Sequence, residues 1–259
     1  MTTAIQSDRL TLATEDAVAH LALHNPPLNV IDIPMMEALS AALLEIESES
    51  ATAVIVISGA GKTFSAGVDV AAHELSQVAR MLENFHAIIR AIVASKKVTI
   101  AVAQGHCLGG GAELAMLCDI VITTDDAKWG FPEISLGCYP PVAATALPAL
   151  VGQKRAADLI LTGRTISGNE AARIGLATEA VPESALQTAA AEKLDRLRKL
   201  SPATLALTKK SIYAWDSMHF DKGLARAEKI YLEELMKTAD AQEGIRAFIE
   251  KRQPRWNNR

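Results

Sequence analysis

The sequence predicts an α/β protein in which helices cover a sheet. Three observations carry this. Short apolar runs in "AVIVIS", "VTIAVAQ" and "DIVITTDD" are too brief for helices and suit buried strands. The longer segments between them repeat apolar residues at helical spacing. Loops of small residues, "GKTFSAGVD" and "GHCLGGG", follow the runs.

Taken in order, "AVAHLALHN" (Ala17–Asn25) reads as a strand that ends at Pro26-Pro27. "PMMEALSAALLEIESES" reads as a helix with Pro34 in its first turn and Met36, Leu39, Leu43 and Ile46 on one face. "AVIVIS" is a buried strand. From Ser76 to Ala94, Val78, Met81, Leu82, Phe85, Ile88, Ile89 and Ile92 make one helical stripe. "VTIAVAQ" is a second buried strand, "GHCLGGG" breaks it, "AELAMLC" restarts as a helix, and "DIVITTDD" is a strand again. After about Gly152 the strands run out. "SALQTAAAEKLDRLRKL", "SPATLALTKKSIYAWD" and "DKGLARAEKIYLEELMKTADAQEGIRAFIEKR" all read as helices. The architecture changes near residue 200, dividing a 1–200 core from a helical 201–259 region.

At 259 residues the chain is one large domain, or one domain with an appendage. Charged residues are 22% and apolar residues 49%, an ordinary globular balance. A net charge of −4 and a pI of 5.9 do not point to nucleic acid. "MTTAIQSDRL" has no apolar signal region, and no apolar run reaches membrane-spanning length. Cys107, Cys118 and Cys138 lack metal-ligand spacing and leave an odd thiol, which predicts buried free thiols and a cytoplasmic location.

"VIVISGAGKTFSAGVDV" rises into Gly-Lys-Thr as a phosphate loop would. That motif needs a glycine at the position of Val56, so an ATPase reading fails. The small residues of this loop, and of "GHCLGGGAELAMLCD", instead let a ligand approach the backbone. Two N–H groups aimed at one point would form an oxyanion hole. Glu113 falls in the first turn of the helix after the glycines, among Ala112, Leu114, Ala115 and Met116; Glu133 lies in the apolar "WGFPEISLG". Each alone reads as structural. Beside the two loops, a pair of partly buried carboxyls with raised pKa values can move protons near neutrality.

These segments together resemble the crotonase family, the enoyl-CoA hydratases and isomerases, over nearly the whole chain. The matching motifs are "NPPLNVIDIPMM", "FSAGVDV", "GHCLGGGAELAMLCDI", "AKWGFPEISLG", "LTGRTISGNEAARIGLATEAVP" and "EGIRAFIEKRQPRW", in the family's order. The resemblance implies a crotonase (ClpP-like) β/α spiral with two roughly perpendicular sheets. Its C-terminal helices would pack on partner subunits in homotrimers, or hexamers made of paired trimers. It implies an acyl-CoA substrate and no separate cofactor, because coenzyme A is part of the substrate. Metal, nucleic acid and membrane partners are not implied. Glu113 and Glu133 would be catalytic, with Glu113 activating or positioning water and Glu133 delivering a proton. Ala66 and Gly110 would supply the backbone N–H donors. Leu28, Lys62, Phe64, Ser65, Gly67, Val68, Asp69, Gly109, Phe131, Cys138, Tyr139, Pro140 and Lys251 would contact substrate or CoA.

The chain departs from the common hydratase pattern beside Glu133. A Gly-rich wall is replaced by Cys138-Tyr139-Pro140-Pro141, and a frequent Gln by Phe131. "PPLNVIDIPMM" and "GCYPPVAATALP" most resemble the cyclohexa-1,5-diene-1-carbonyl-CoA hydratases of anaerobic benzoyl-CoA breakdown, which add water to a cyclic dienoyl thioester in a 1,4 sense. Other readings are a straight-chain 2-enoyl-CoA hydratase, a dienoyl-CoA isomerase, and a non-catalytic RNA-binding relative; the acidic chain and intact glutamates disfavour the last. His106 reads as a strand-end residue, and His20, His24, His73, His86 and His219 lack metal spacing. Ser65 has no nucleophile elbow around it. Asp69 reads as a helix cap. Lys251, Arg252 and Arg255 solvate the chain end on their own chemistry; the resemblance brings this tail towards CoA.

Overall fold

A computed structural model describes residues 4–6, 8–213 and 216–256. Strands β1 (Ala4–Gln6), β2 (Leu10–Glu15) and β3 (Val18–Leu23) are antiparallel. β4 (Val54–Gly59) and β5 (Val98–Ala103) extend the sheet in parallel. The short β6 (His106–Leu108) leaves it, and β7 (Ile120–Thr124) returns beside β5. β8 (Lys128–Gly130) and β9 (Thr165–Ser167) join β6 in a second, three-stranded sheet. β10 (Glu179–Val181) completes the seven-stranded sheet next to β7.

The two faces of the large sheet follow the period-2 alternation of its strands. Ile55, Ile57, Ala101 and Ala103 face the main core, which takes in helices α1 (Ile33–Ser48) and α2 (Val78–Ala94). Both expected helical stripes are buried. Asp32 caps α1 by accepting from Met35 N at 2.9 Å. After α3 (Gly110–Met116) come α4 (Pro141–Val151), α5 (Gln153–Thr162) and α6 (Gly168–Ile174). Val54, Val56, Val98, Ile100, Val102 and Ile122 face the other way, against Leu186, Ala190 and Leu194 of α7 (Leu186–Leu197). Cys107, Cys118 and Cys138 are buried and free, as their spacing predicts.

α8 (Pro202–Tyr213) matches most of the expected "SPATLALTKKSIYAWD" helix; positions 214 and 215 lie outside the described residues. α9 (Asp216–Glu233) and α10 (Ala239–Ile249) follow. Leu224, Tyr231, Ala241 and Ile245 of these helices belong to the main core of their own chain. α10 packs on the segments Val70–His73 and Pro132–Leu136. Whatever surface the last helices offer a neighbour, they bury apolar residues at home.

Strands do not end at Gly152: β9 and β10 lie beyond it. Each has three residues, too few to carry a periodic signal. The β2–β3 hairpin also escapes a sequence reading. Its turn places Asp16 and Ala17 at φ 47° and 65°, a left-handed pair usually marked by Asn-Gly. Ala17, expected within a strand, is part of this turn.

One buried amide positions the loop after β4. Asn29 has no exposed surface; its Nδ2 donates to Thr63 O at 2.7 Å and Ala60 O at 2.9 Å, and its Oδ1 accepts from Asn25 N at 3.0 Å. Asn29→Ala strands these buried groups, so chemical denaturation should show a loss of about 2–3 kcal/mol.

Candidate active site

Two isolated parallel bridges, Ser65 with Cys107 and Ile31 with Val68, stitch the loop after β4 to the rest of the chain. Ser65 N donates to His106 O at 3.0 Å and Leu108 N to Ser65 O at 3.0 Å. On the other side, Ile31 N donates to Gly67 O at 2.9 Å and Asp69 N to Ile31 O at 3.1 Å. That pattern uses the groups flanking Val68 and turns the Val68 N–H away from Ile31.

Ala66, the expected donor on this loop, is already engaged: its N–H donates to Leu28 O at 2.9 Å. Among the described residues, the N–H groups of Val68 and Gly110 have no protein acceptor. They are neighbours, since a Cβ built on Gly110 would lie 3.4 Å from Val68 N and 2.6 Å from Val68 Cγ2. A side chain at Gly110 would therefore press on the Val68 side chain beside that amide.

Glu113 and Glu133 line one cavity of about 240 Å³ with these loops. Glu113 is buried on α3, and its Oε1 accepts from Ala143 N at 2.8 Å. α4 supplies that donor: Pro141 starts the helix without an N–H, and the next amides, of Val142 and Ala143, are free for the carboxylate. Burial pushes Glu113 up to about 7 against the pull of the Ala143 and Val142 amides. Glu133 sits on the turn Pro132–Leu136. The residue keeps some exposure, yet its Oε2 is buried with no partner. Burial, then the charge of Glu113, pushes it up to about 8. A Cβ on Gly109, whose φ is +51°, would stand 2.6 Å from Glu133 Oε1. Two buried carboxyls that share protons near neutrality, beside two unused N–H donors, can hold an anion and move protons around it.

Of the residues expected at substrate, Ala66, Gly67, Val68, Gly109, Tyr139 and Pro140 line the cavity with Gly110 and the two glutamates. Eight others do not. Phe64 and Phe131 are fully buried in the main core. Ser65 is held in the backbone, its Oγ donating to Asn29 O at 2.8 Å and accepting from Gly67 N at 3.1 Å. Asp69 caps Val70–His73 through Ala71 N, as the cap reading predicts. Cys138 is buried in the core behind the wall, and Leu28, Lys62 and Lys251 lie at the surface. His106 takes its place in β6.

Sequence reasoning missed His86 and Tyr231, which line the same cavity. His86 hides in the apolar stripe of α2, where helical spacing reads it as packing. Its Nδ1 lies 2.7 Å from Glu228 Oε1 on α9, and Arg90 Nη2 donates to the same oxygen at 2.7 Å. Burial holds the imidazole below its ordinary value, with Glu228 opposing. A larger cavity, about 690 Å³ between α4 and α9, contains neither glutamate nor the two amides, so volume alone does not mark the site.

Because Glu133 is raised, the folded protein holds a proton that the unfolded chain releases above its ordinary value of 4.5. The stability this proton contributes is present below pH 4.5 and is lost as pH rises to about 8. In Glu133→Gln the loss should disappear: the melting temperature of the variant relative to the parent rises between pH 5 and pH 8, read by calorimetry at ~1-unit steps.

The family model described as enoyl-CoA hydratase/isomerase matches residues 13–259. A cyclohexa-1,5-dienecarbonyl-CoA hydratase of Thauera aromatica is 34% identical over 251 residues, covering 97% of each chain. A probable enoyl-CoA hydratase of Bacillus subtilis (strain 168) is 36% identical over 255 residues, covering 95% of this chain and 98% of that one. Among solved structures, an enoyl-CoA hydratase from Mycobacterium avium subsp. paratuberculosis K-10 superposes with a TM-score of 0.87 at 26% identity, covering 96% of this chain and 98% of the other. The seven-stranded and three-stranded sheets with their helices are thus a crotonase fold, and the chain belongs to the enoyl-CoA hydratase/isomerase family.

Proposed function

We propose that this protein hydrates an α,β-unsaturated acyl-CoA thioester. The observation that carries the reading is the meeting of Glu113 and Glu133 in one cavity with the unused N–H groups of Val68 and Gly110. The thioester oxygen sits between the two amides. Val68 replaces Ala66 as the donor from its loop, because Ala66 spends its N–H on Leu28. Glu113, lowered relative to its partner by the α4 amides, takes a proton from water as the water oxygen bonds to the β-carbon. The π electrons move onto the thioester oxygen as an enolate, which the two donors stabilise. Glu133, the more easily protonated carboxyl, then gives its proton to carbon, and the thioester carbonyl re-forms. Proton exchange between the glutamates restores the starting state.

For the acyl group, the reading is a six-membered cyclic dienoyl ring, with 1,4-addition to cyclohexa-1,5-diene-1-carbonyl-CoA. Two features support it. One is the Thauera aromatica relative, whose name carries that substrate. The other is the stretch Tyr139-Pro140-Pro141 lining the cavity, stiff and flat where a Gly-rich wall is usual. In 1,4-addition the proton goes to the far diene carbon instead of the α-carbon. Coenzyme A enters as part of the substrate, and the enzyme works in the cytoplasm without a further cofactor. The exposed Leu207 and Ile212 of α8, at 67% and 65%, support burial in a homotrimer or a hexamer of paired trimers.

Glu113→Gln and Glu133→Gln should each lower kcat by about 10²-fold or more; near-parental turnover in either variant removes that residue from the mechanism. The ring reading is checked by kcat/KM for cyclohexa-1,5-diene-1-carbonyl-CoA against crotonyl-CoA. The ring should win by about 10- to 200-fold. A clear win for crotonyl-CoA makes the protein a straight-chain hydratase.

A further inference from the structure

Tyr139 stands where two cavities meet. Among the described residues it alone lines both the cavity of about 240 Å³ that holds Glu113 and Glu133 and the cavity of about 690 Å³ between α4 and α9. Three helices run from one cavity to the other. α3 carries Glu113 on the first and, about one turn on, Met116 on the second. α4 carries Pro141 and then Ala144, and α9 carries Tyr231 and, about one turn back, Ala227. The cavities are therefore consecutive along the same helices, one behind the other.

The Tyr139 side chain crosses the boundary between them. Its backbone belongs to the segment before α4, and its hydroxyl donates to Ala227 O on α9 at 2.5 Å. Its ring lies edge-on to that of Tyr231, with centroids 5.3 Å apart. Both ends of the side chain are thus fixed, on two different walls. The volumes on its two sides differ. Ligand pockets commonly span about 300–1,000 Å³; the front cavity falls short of that range and the rear one lies within it. Met116, Leu150, Phe220 and Ile230 line the rear cavity, a surface that suits an alkyl chain. An acyl group held at the glutamates meets the tethered ring before it can reach that surface.

We propose that Tyr139 sets the length of the acyl group: it is a partition that confines the substrate to the front cavity and shuts a long chain out of the rear one. Its hydroxyl is committed to Ala227, so the residue acts by bulk and position, not by proton transfer. The proposal rests on the acyl-CoA reading above. It names the side chain that makes a compact acyl group, such as a ring, the preferred one. A small residue at position 139 would join the two volumes and admit a long chain.

Calorimetric titration with saturated, unreactive thioesters tests the partition apart from turnover. The probes are butanoyl-CoA and decanoyl-CoA. The parent should bind the short thioester more tightly. In Tyr139→Ala the affinity for decanoyl-CoA relative to butanoyl-CoA should rise by about 10-fold or more. Ala144 lines the rear cavity and is exposed, so a bulky side chain there fills the space behind the partition. Adding Ala144→Phe to Tyr139→Ala should therefore remove the gain. Tyr139→Leu keeps apolar bulk without ring or tether, and its own gain decides the matter if Tyr139→Ala does not fold. The proposal is overturned if the parent already prefers decanoyl-CoA, if neither variant shifts the ratio, or if the shift survives Ala144→Phe. A shift as expected in a protein that hydrates no enoyl-CoA keeps the partition and sinks the hydratase reading alone. Binding of both thioesters with no shift leaves the hydratase reading standing and sinks the partition.

Discussion

Two carboxyl groups share one small cavity, and the amides that open α4 meet only one of them. Much of the local structure follows from that asymmetry. A buried carboxylate is tolerated where N–H groups meet it. Glu113 receives them from the start of α4, so α4 must begin where it does. Pro141 at its first position leaves the next two amides pointing outward for the carboxylate. Glu133 has no such support on Oε2. It feels the charge of Glu113, and the absent side chain of Gly109 gives it room. The two environments push the pair apart, which is the arrangement acid and base roles require.

The fold was legible where periodicity was long. The stripes of α1 and α2 run for several turns, and β4, β5 and β7 are short apolar runs. β9, β10 and the hairpin turn at Asp16-Ala17 were not, because three-residue strands carry no period and an Ala in a left-handed conformation carries no warning. The site divides in the same way. The glycines and glutamates announce themselves by composition. Whether Ala66 or Val68 offers its N–H depends on which neighbours pair with Leu28 and Ile31, a matter of strand register two residues long. Phe64 and Phe131 look like pocket residues beside the loop and the acid, and the chain turns both inward.

The segment between Glu133 and α4 answers to two demands. Its prolines set the N-terminus that holds Glu113, and its Tyr139-Pro140-Pro141 stretch is also a cavity wall. A substitution there acts on the proton affinity of the pair and on the shape of the pocket together. This links two features that a residue-by-residue reading keeps apart: the choice of acyl group and the acidity of the catalytic carboxyls.

The C-terminal helices complete the same enclosure from the far end of the chain. α9 brings Tyr231 and, through Glu228, fixes the ring of His86 on α2; α10 braces the turn that bears Glu133. Gly244 of α10 sits against the backbone of Leu136, with no space for a side chain between them. The turn carrying the acid is thus clamped between the core and the last helix in the sequence. A cavity built from loops after β4 and β5 would lie open to water if these helices were displaced, and desolvation is what raises both glutamates. The helical third therefore does more than decorate a core: through Tyr231 and Phe248 it helps enclose the cavity in which burial raises both glutamates.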